Sequence, residues 1–102
     1  MTHEAQVTRF YQGSNRRGKW IFQTRDSLLP ADELVGSMVN IGTKDGVVFD
    51  SALVVSFNEQ NGILTVDGGL RQAYSDPQPR PTGTAEISVH DVARGYIHAP
   101  AA

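Results

Sequence analysis

Basic and aromatic side chains interleave near the start of this 102-residue chain: Arg9 precedes Phe10 and Tyr11, and Arg16, Arg17 and Lys19 run up to Trp20. Cations set between flat rings suit a single-stranded nucleic acid, because rings stack on bases while charges follow the phosphates. The same residues have an ordinary reading, since aromatics in strands pack into cores and charges at a hairpin tip stay hydrated. A formal net charge of -2 and a pI near 5.8 give no bulk attraction for a polyanion, so any such binding must rest on a local basic patch.

Catalysis has little to work with. The chain holds no cysteine, no Gly-x-Ser-x-Gly nucleophile and no phosphate-binding loop. His3, His90 and His98 lack a ligand spacing such as His-x-x-x-His, so no metal site is expected, and no cofactor motif is present. Asp32 and Glu33 are adjacent on a presumed helical turn and point apart, which suits first-turn acids near a helix dipole better than a general acid and base pair. The expectation is a protein that is not an enzyme.

The elements that would position a binding surface centre on Leu34 to Val66, which reads as three consecutive strands joined by two tight turns. From Val47 the odd positions run Val47, Phe49, Ser51, Leu53, Val55 and Phe57, a nearly apolar face, whereas the even positions are mixed. Such a strand is long, so a strongly bent strand of a small barrel is expected, with small Ser51 as the place for the bend.

Before it, Gln6 to Gln12 and Lys19 to Thr24 read as a β-hairpin around GSNRRG, an N-terminal extension over residues 1–25. Asp26 to Val35 has a cap-like start at Asp26 or Ser27 and Pro30 at a first-turn position, which predicts a short helix covering one barrel end with Leu28, Leu29 and Leu34. After the centre, residues 67–84 read as a Pro/Gly-rich loop, because prolines at 77, 79 and 81 cannot donate to a sheet. Thr84 onward alternates again, with Ile87 and Val89 on one face, and a final strand over Tyr96 to Ala99 follows a turn at Gly95.

The length is that of one domain, with little margin of buried surface, so oligomerisation would help it. With 39% hydrophobic and 20% charged residues the composition is globular, and no apolar run approaches the ~20 residues a membrane span requires. The N-terminus MTHEAQVTRF lacks the basic start and apolar run of a signal peptide; together with the missing cysteine this predicts a cytoplasmic protein.

The central stretch resembles the Sm motif of the Sm, LSm and Hfq superfamily. Gly36, the strand Met38 to Ile41, the turn Lys44-Asp45-Gly46, then Phe49, Leu53, Phe57-Asn58 and Asn61 stand in the motif's order, and Val92-Ala93-Arg94-Gly95-Tyr96-Ile97 matches its second, Arg-Gly part. The resemblance covers Leu28 to His98. With three departures the chain looks like a divergent branch of that superfamily, resembling phage rather than cellular types: Ser51 replaces the bend glycine, an extra residue lies between Phe49 and Phe57, and Asn58 replaces an aspartate.

The resemblance implies a mainly β fold: a small, strongly bent five-stranded Sm-like (SH3-like) barrel with a short N-terminal helix, here with an extra N-terminal β-hairpin. It also implies a homo-oligomeric ring of about five to seven subunits, in which the last strand pairs with a neighbour's fourth strand and satisfies an open edge. Single-stranded, U-rich RNA would enter at the pore. Carried over by position, Asn58 and Asn61 would hydrogen-bond a base edge, Gln60 would occupy the place of a stacking side chain, and the Arg94-Gly95 loop would supply a charged or stacking contact. Read from its residues alone, Asn58 to Gly62 is a hairpin loop with Asn61-Gly62 as its turn. Two rivals stand beside this reading: a structural or protein-interaction ring without RNA binding, and a PRC-barrel-like protein-binding module, which SLLPADELVG and VDGG also resemble.

Overall fold

The bend at Ser51 organises the molecule. The computed structural model describes residues 7–16, 19–25 and 27–98 of the chain; His3, Arg17, Asp26 and Ala99, which the sequence singles out, lie outside the described residues, as do the side chains of Arg9 and Arg16. Strand β5 (Val47–Asn58) follows β4 (Met38–Thr43), and Ser51 within it takes a left-handed φ of 56°. That conformation disfavours a side chain. It is held by local hydrogen bonds: the Ser51 amide donates to Asn40 Oδ1 at 2.8 Å and its hydroxyl to Asp50 Oδ1 at 3.0 Å.

On either side of Ser51 the outer edge of β5 has a different partner. Val47 to Asp50 pair with β7 (Leu70–Ala73), whereas Leu53 to Asn58 pair with β6 (Ile63–Asp67). Strands β6 and β7 are therefore one path broken at Gly68-Gly69. The next pair repeats the device: β8 (Asp76–Pro81) lies on β7 and β9 (Thr84–Ser88) on β6, with Thr82-Gly83 between them. Gly68 N–H donates to the Gly83 carbonyl at 2.9 Å and Thr82 N–H to the Gly69 carbonyl at 3.1 Å, so three neighbouring strands bend along one row.

The N-terminal hairpin forms as expected, from β1 (Val7–Arg16) and β2 (Lys19–Gln23), but it is no appendage. Strand β1 pairs with β10 (Val92–His98), and Phe10 and Phe22 are completely buried with ring centroids 4.9 Å apart. The full order is β3-β2-β1-β10-β4-β5-β6-β9, where β3 is Leu28–Pro30. All strand pairings are antiparallel. Val39, Ile41, Ala52, Val54, Leu64 and Val66 form the buried centre beneath this sheet.

Several expectations need correction. Among the described residues the sheet has ten strands and does not close into a barrel by pairing β3 with β9. The short helix is absent among the described residues: Leu28–Pro30 pair with Ile21–Gln23, and a 3-10 turn, Ala31–Leu34, follows. Backbone pairing of the leucines wins over their helical propensity. Ala31 and Leu34, three apart and hence on one side of a 3-10 turn, are buried, while Leu28 is 52% exposed. Residues 67–84 are a β-hairpin rather than a loop, because β8 pairs only with β7 and prolines are tolerated on such an edge. Gly95 lies within β10 and makes no turn. Finally, β10 is flanked inside the chain by β1 and β4, so the edge that the resemblance offers to a neighbour is already taken.

Candidate nucleic-acid interface

The turn Asn58 to Gly62 is built by its own amides. Asn58 Oδ1 accepts from Gln60 N–H at 2.9 Å, and Asn61 Oδ1 accepts from Ile63 N–H at 3.2 Å. Gly62 N–H donates to the Asn58 carbonyl at 2.8 Å with φ +70°, which closes the turn. Asn58, Gln60 and Asn61 are all exposed. Their side-chain oxygens shape the loop, as the hairpin reading expects, and the amide NH2 groups are the part left to offer a base edge.

Trp20 lies beside this turn. Its indole N–H donates to the Glu59 carbonyl at 2.8 Å, its ring lies against Gly62, where a Cβ would meet Cε2 at 2.8 Å, and His90 meets it edge-on at 4.9 Å. His90 belongs to a second 3-10 turn, Val89–Asp91, whose Val89 N–H donates to the Gly62 carbonyl at 2.8 Å. Trp20 from β2 thus ties one end of the open sheet to the other, so it is a packing residue rather than a free stacking platform.

Arg94 and Gly95 face opposite ways. An irregularity in the pairing of β10 with β4 between Val92 and Arg94 leaves Arg94 exposed and Gly95 buried. A Cβ on Gly95 would stand 2.2 Å from Phe10 Cζ, so that position is glycine to admit the Phe10 ring. Arg94 lies on the outer face instead, its stem across Gly42: a Cβ there would be 3.7 Å from Arg94 Cγ and 3.8 Å from Nε.

The cleft that Arg94 lines is about 560 Å³ and is formed with Gly42, Lys44, Val48, Gln72 and Tyr74. Asn58, Gln60 and Asn61 are not among its walls, so the two halves of the sequence motif do not share it. Register explains the cleft's shape. Gln23, Tyr11, Arg94, Gly42, Val48 and Gln72 are successive partners across β2, β1, β10, β4, β5 and β7, and residues paired in this way project from the same face. Gly42 is the gap in that row.

Tyr74 closes one side of the cleft. It is 92% exposed and touches Gly46, where a Cβ would meet its ring at 2.5 Å unless the exposed ring swung aside; it is the φ of +90° that calls for glycine in this turn. In the same turn the Thr43 hydroxyl donates to Asp45 Oδ1 and Lys44 N–H donates to the Asp91 carbonyl at 2.8 Å. Among the described residues neither the Lys44 ammonium nor the Arg94 guanidinium forms an ion pair.

Sequence reasoning missed Tyr74, Gly42 and Lys44 as members of one site. Tyr74 was hidden in a segment read as loop. Gly42 carried a readable signal, an isolated glycine inside the strand-forming run MVNIGT, which marks close backbone approach or room for a ligand. No group of three or more His, Cys, Asp or Glu among the described residues could hold a metal ion, and no described helix is long and apolar enough to cross a membrane. No protein-family model, curated protein or solved structure matches the chain.

Proposed function

We propose that the chain is a non-enzymatic, Sm-like protein that binds single-stranded, U-rich RNA and assembles with copies of itself. The observation that carries this reading is the bend row. Three neighbouring strand paths of the sheet, β5, β6–β7 and β8–β9, bend together at Ser51, Gly68-Gly69 and Thr82-Gly83, as the strands of a strongly bent Sm-like sheet would. The exposed amides of Asn58, Gln60 and Asn61 and the outward Arg94 support contact with bases and phosphates. Filter binding of short oligo-U and oligo-A to the wild-type protein and to an Asn61→Ala plus Arg94→Ala variant tests it. The wild type is expected to retain oligo-U better, and the variant to lose about tenfold or more in affinity, the worth of one charge-assisted hydrogen bond; equal retention by both proteins would remove these residues from the site.

Self-association is favoured by a separate feature, an exposed apolar patch. Met38 and Leu53 are cross-strand partners 45% and 40% exposed, with Val55 at 42% on the same strand as Leu53. Val35 at 44% adjoins them, because Gly36 N–H donates to the Val54 carbonyl at 2.8 Å. A second copy covering this patch would bury it without needing the occupied edges of β10. Light scattering is expected to give a multiple of the 11.1 kDa chain mass, and Leu53→Lys to reduce it to the monomer; a wild-type monomer at high concentration would refute assembly.

A further inference from the structure

We infer that the cleft over Gly42 is a nucleotide subsite, in which Tyr74 stacks on a base and Lys44 and Arg94 hold its phosphate. This rests on the RNA-binding reading above and moves its principal contact from the Asn58–Asn61 turn to the outer face of β10, β4, β5 and β7.

Three independent observations converge on the cleft. The first is Gly42 itself. Its φ is not positive, and a Cβ would make only ordinary contacts of 3.7–3.9 Å with Arg94. Neither backbone nor packing requires glycine there, although glycine weakens a strand interior by about 0.5–1 kcal/mol relative to alanine. What its absent side chain leaves is a low cleft floor beside Val48, with the Arg94 stem passing over it.

The second is Tyr74. One side of its ring lies on Gly46 and the residue is otherwise in water. A large aromatic that touches backbone at one point and leaves nearly all of its ring in water offers an open face on which an unpaired base can stack. The third is charge. Lys44 and Arg94 both line the cleft and neither forms an ion pair among the described residues, while the neighbouring Asp45 carboxylate is engaged by the Thr43 hydroxyl. Two cations beside a ring match one nucleotide unit, with the guanidinium able to hold two phosphate oxygens and the ammonium acting as a point charge. The volume of about 560 Å³ is of the size that takes a ligand this large. A local pair of cations also answers the net charge of -2, which offers no attraction of its own.

The test uses the full 15N-labelled chain with two probes, uridine 5′-monophosphate and a short oligouridylate. Both are expected to shift the backbone amides of Gly42, Lys44, Gly46 and Tyr74. Tyr74→Leu, at a site exposed enough to spare folding, is expected to weaken oligouridylate binding between about fivefold and thirtyfold, with Tyr74→Phe restoring it. Gly42→Val fills the cleft with a strand-favouring side chain, so binding is expected to fall while the melting temperature holds or rises; Gly42→Ala serves as the milder filling should valine perturb folding. Oligouridylate that moves only the Asn58–Gly62 amides, with Tyr74→Leu unchanged, would overturn the cleft and keep the RNA reading. The monophosphate binding at the cleft without any oligouridylate affinity would overturn the RNA reading and keep the cleft. No shift with either probe would overturn both.

Discussion

Replacing Phe10 by alanine is expected to lower the free energy of unfolding by about 3–5 kcal/mol, read as a shift of the urea midpoint. A domain of this size has on the order of 5–15 kcal/mol in all, so this one truncation removes a large part of it. The reason lies in where β1 sits. Phe10 is fully buried, packs on the equally buried Phe22, and presses its ring onto the backbone at Gly95 of β10. A hairpin that merely extended a barrel would tolerate the change. Here the ring joins the two N-terminal strands to the strand beside them.

Gly95 gives the same contact from the other side. Gly95→Ala places a methyl 2.2 Å from Phe10 Cζ and is expected to cost about 1–3 kcal/mol through overpacking. In the Phe10→Ala background the added methyl enters space the ring has vacated, so the second substitution is expected to cost little or to recover stability. A double-mutant cycle should then show coupling on the order of 1–3 kcal/mol. Simple additivity would mean that the Phe10 contact is not what requires glycine at position 95. The Arg-Gly dipeptide would also be divided by this result, its glycine serving the core and its arginine the surface.

The sequence made much of this fold legible, and the places where it did not are physically specific. Alternation from Val47 located β5, because a half-buried strand exposes every second residue, and the tight turns on either side of it marked off β4 and β6. It also predicted one continuous apolar face from Val47 to Phe57, and that phase fails. Before the bend the odd residue Phe49 faces inward; after it the even residues Ala52 and Val54 are buried, while Leu53 and Val55 are 40% and 42% exposed. A left-handed residue turns the strand over, and the pairing irregularity between Val54 and Ser56 turns it back, so that Phe57 again packs against the core. Ser51 was read correctly as the bend, but a bend in direction is also a change of face.

The candidate site was legible by halves for a related reason. Arg94 and the Lys44-Asp45-Gly46 turn could be singled out by residue type, but their meeting with Tyr74 depends on β7 and β8, strands in a segment whose prolines argue against a sheet. That argument holds for a central strand and lapses at an edge. Once β7 pairs with Val47 to Asp50, Tyr74 has to turn beside Gly46, and the cleft follows from the register. The Asn58–Asn61 turn, by contrast, was correctly placed by its sequence and ends up shaped by its own side chains, away from Arg94's cleft.

Substitution at the bend row supplies the sharpest test of this architecture. Gly69→Ala is expected to cost on the order of 2–4 kcal/mol, by two additive causes. Its φ of +73° disfavours any side chain, and a Cβ would lie 2.2 Å from the Asp50 carbonyl oxygen and 2.7 Å from that of Ser51. Both obstacles are backbone, so no side chain can swing aside to relieve them. Gly68→Ala separates the causes. Its φ of +78° carries the same conformational penalty, but nothing lies within 4 Å of its Cβ, so about 1 kcal/mol is expected from strain alone. Gly83→Ala, at φ +64° and equally open, should match Gly68→Ala. The excess at Gly69, measured by urea unfolding, is then the contact between β5 and the crossing from β6 to β7. Equal losses at all three positions would mean that the strands do not close on one another at Ser51. Because the cleft depends on β7 and Tyr74 lying beside β5, a loosened row should weaken ligand binding together with stability, whereas the strain-only variants should preserve it.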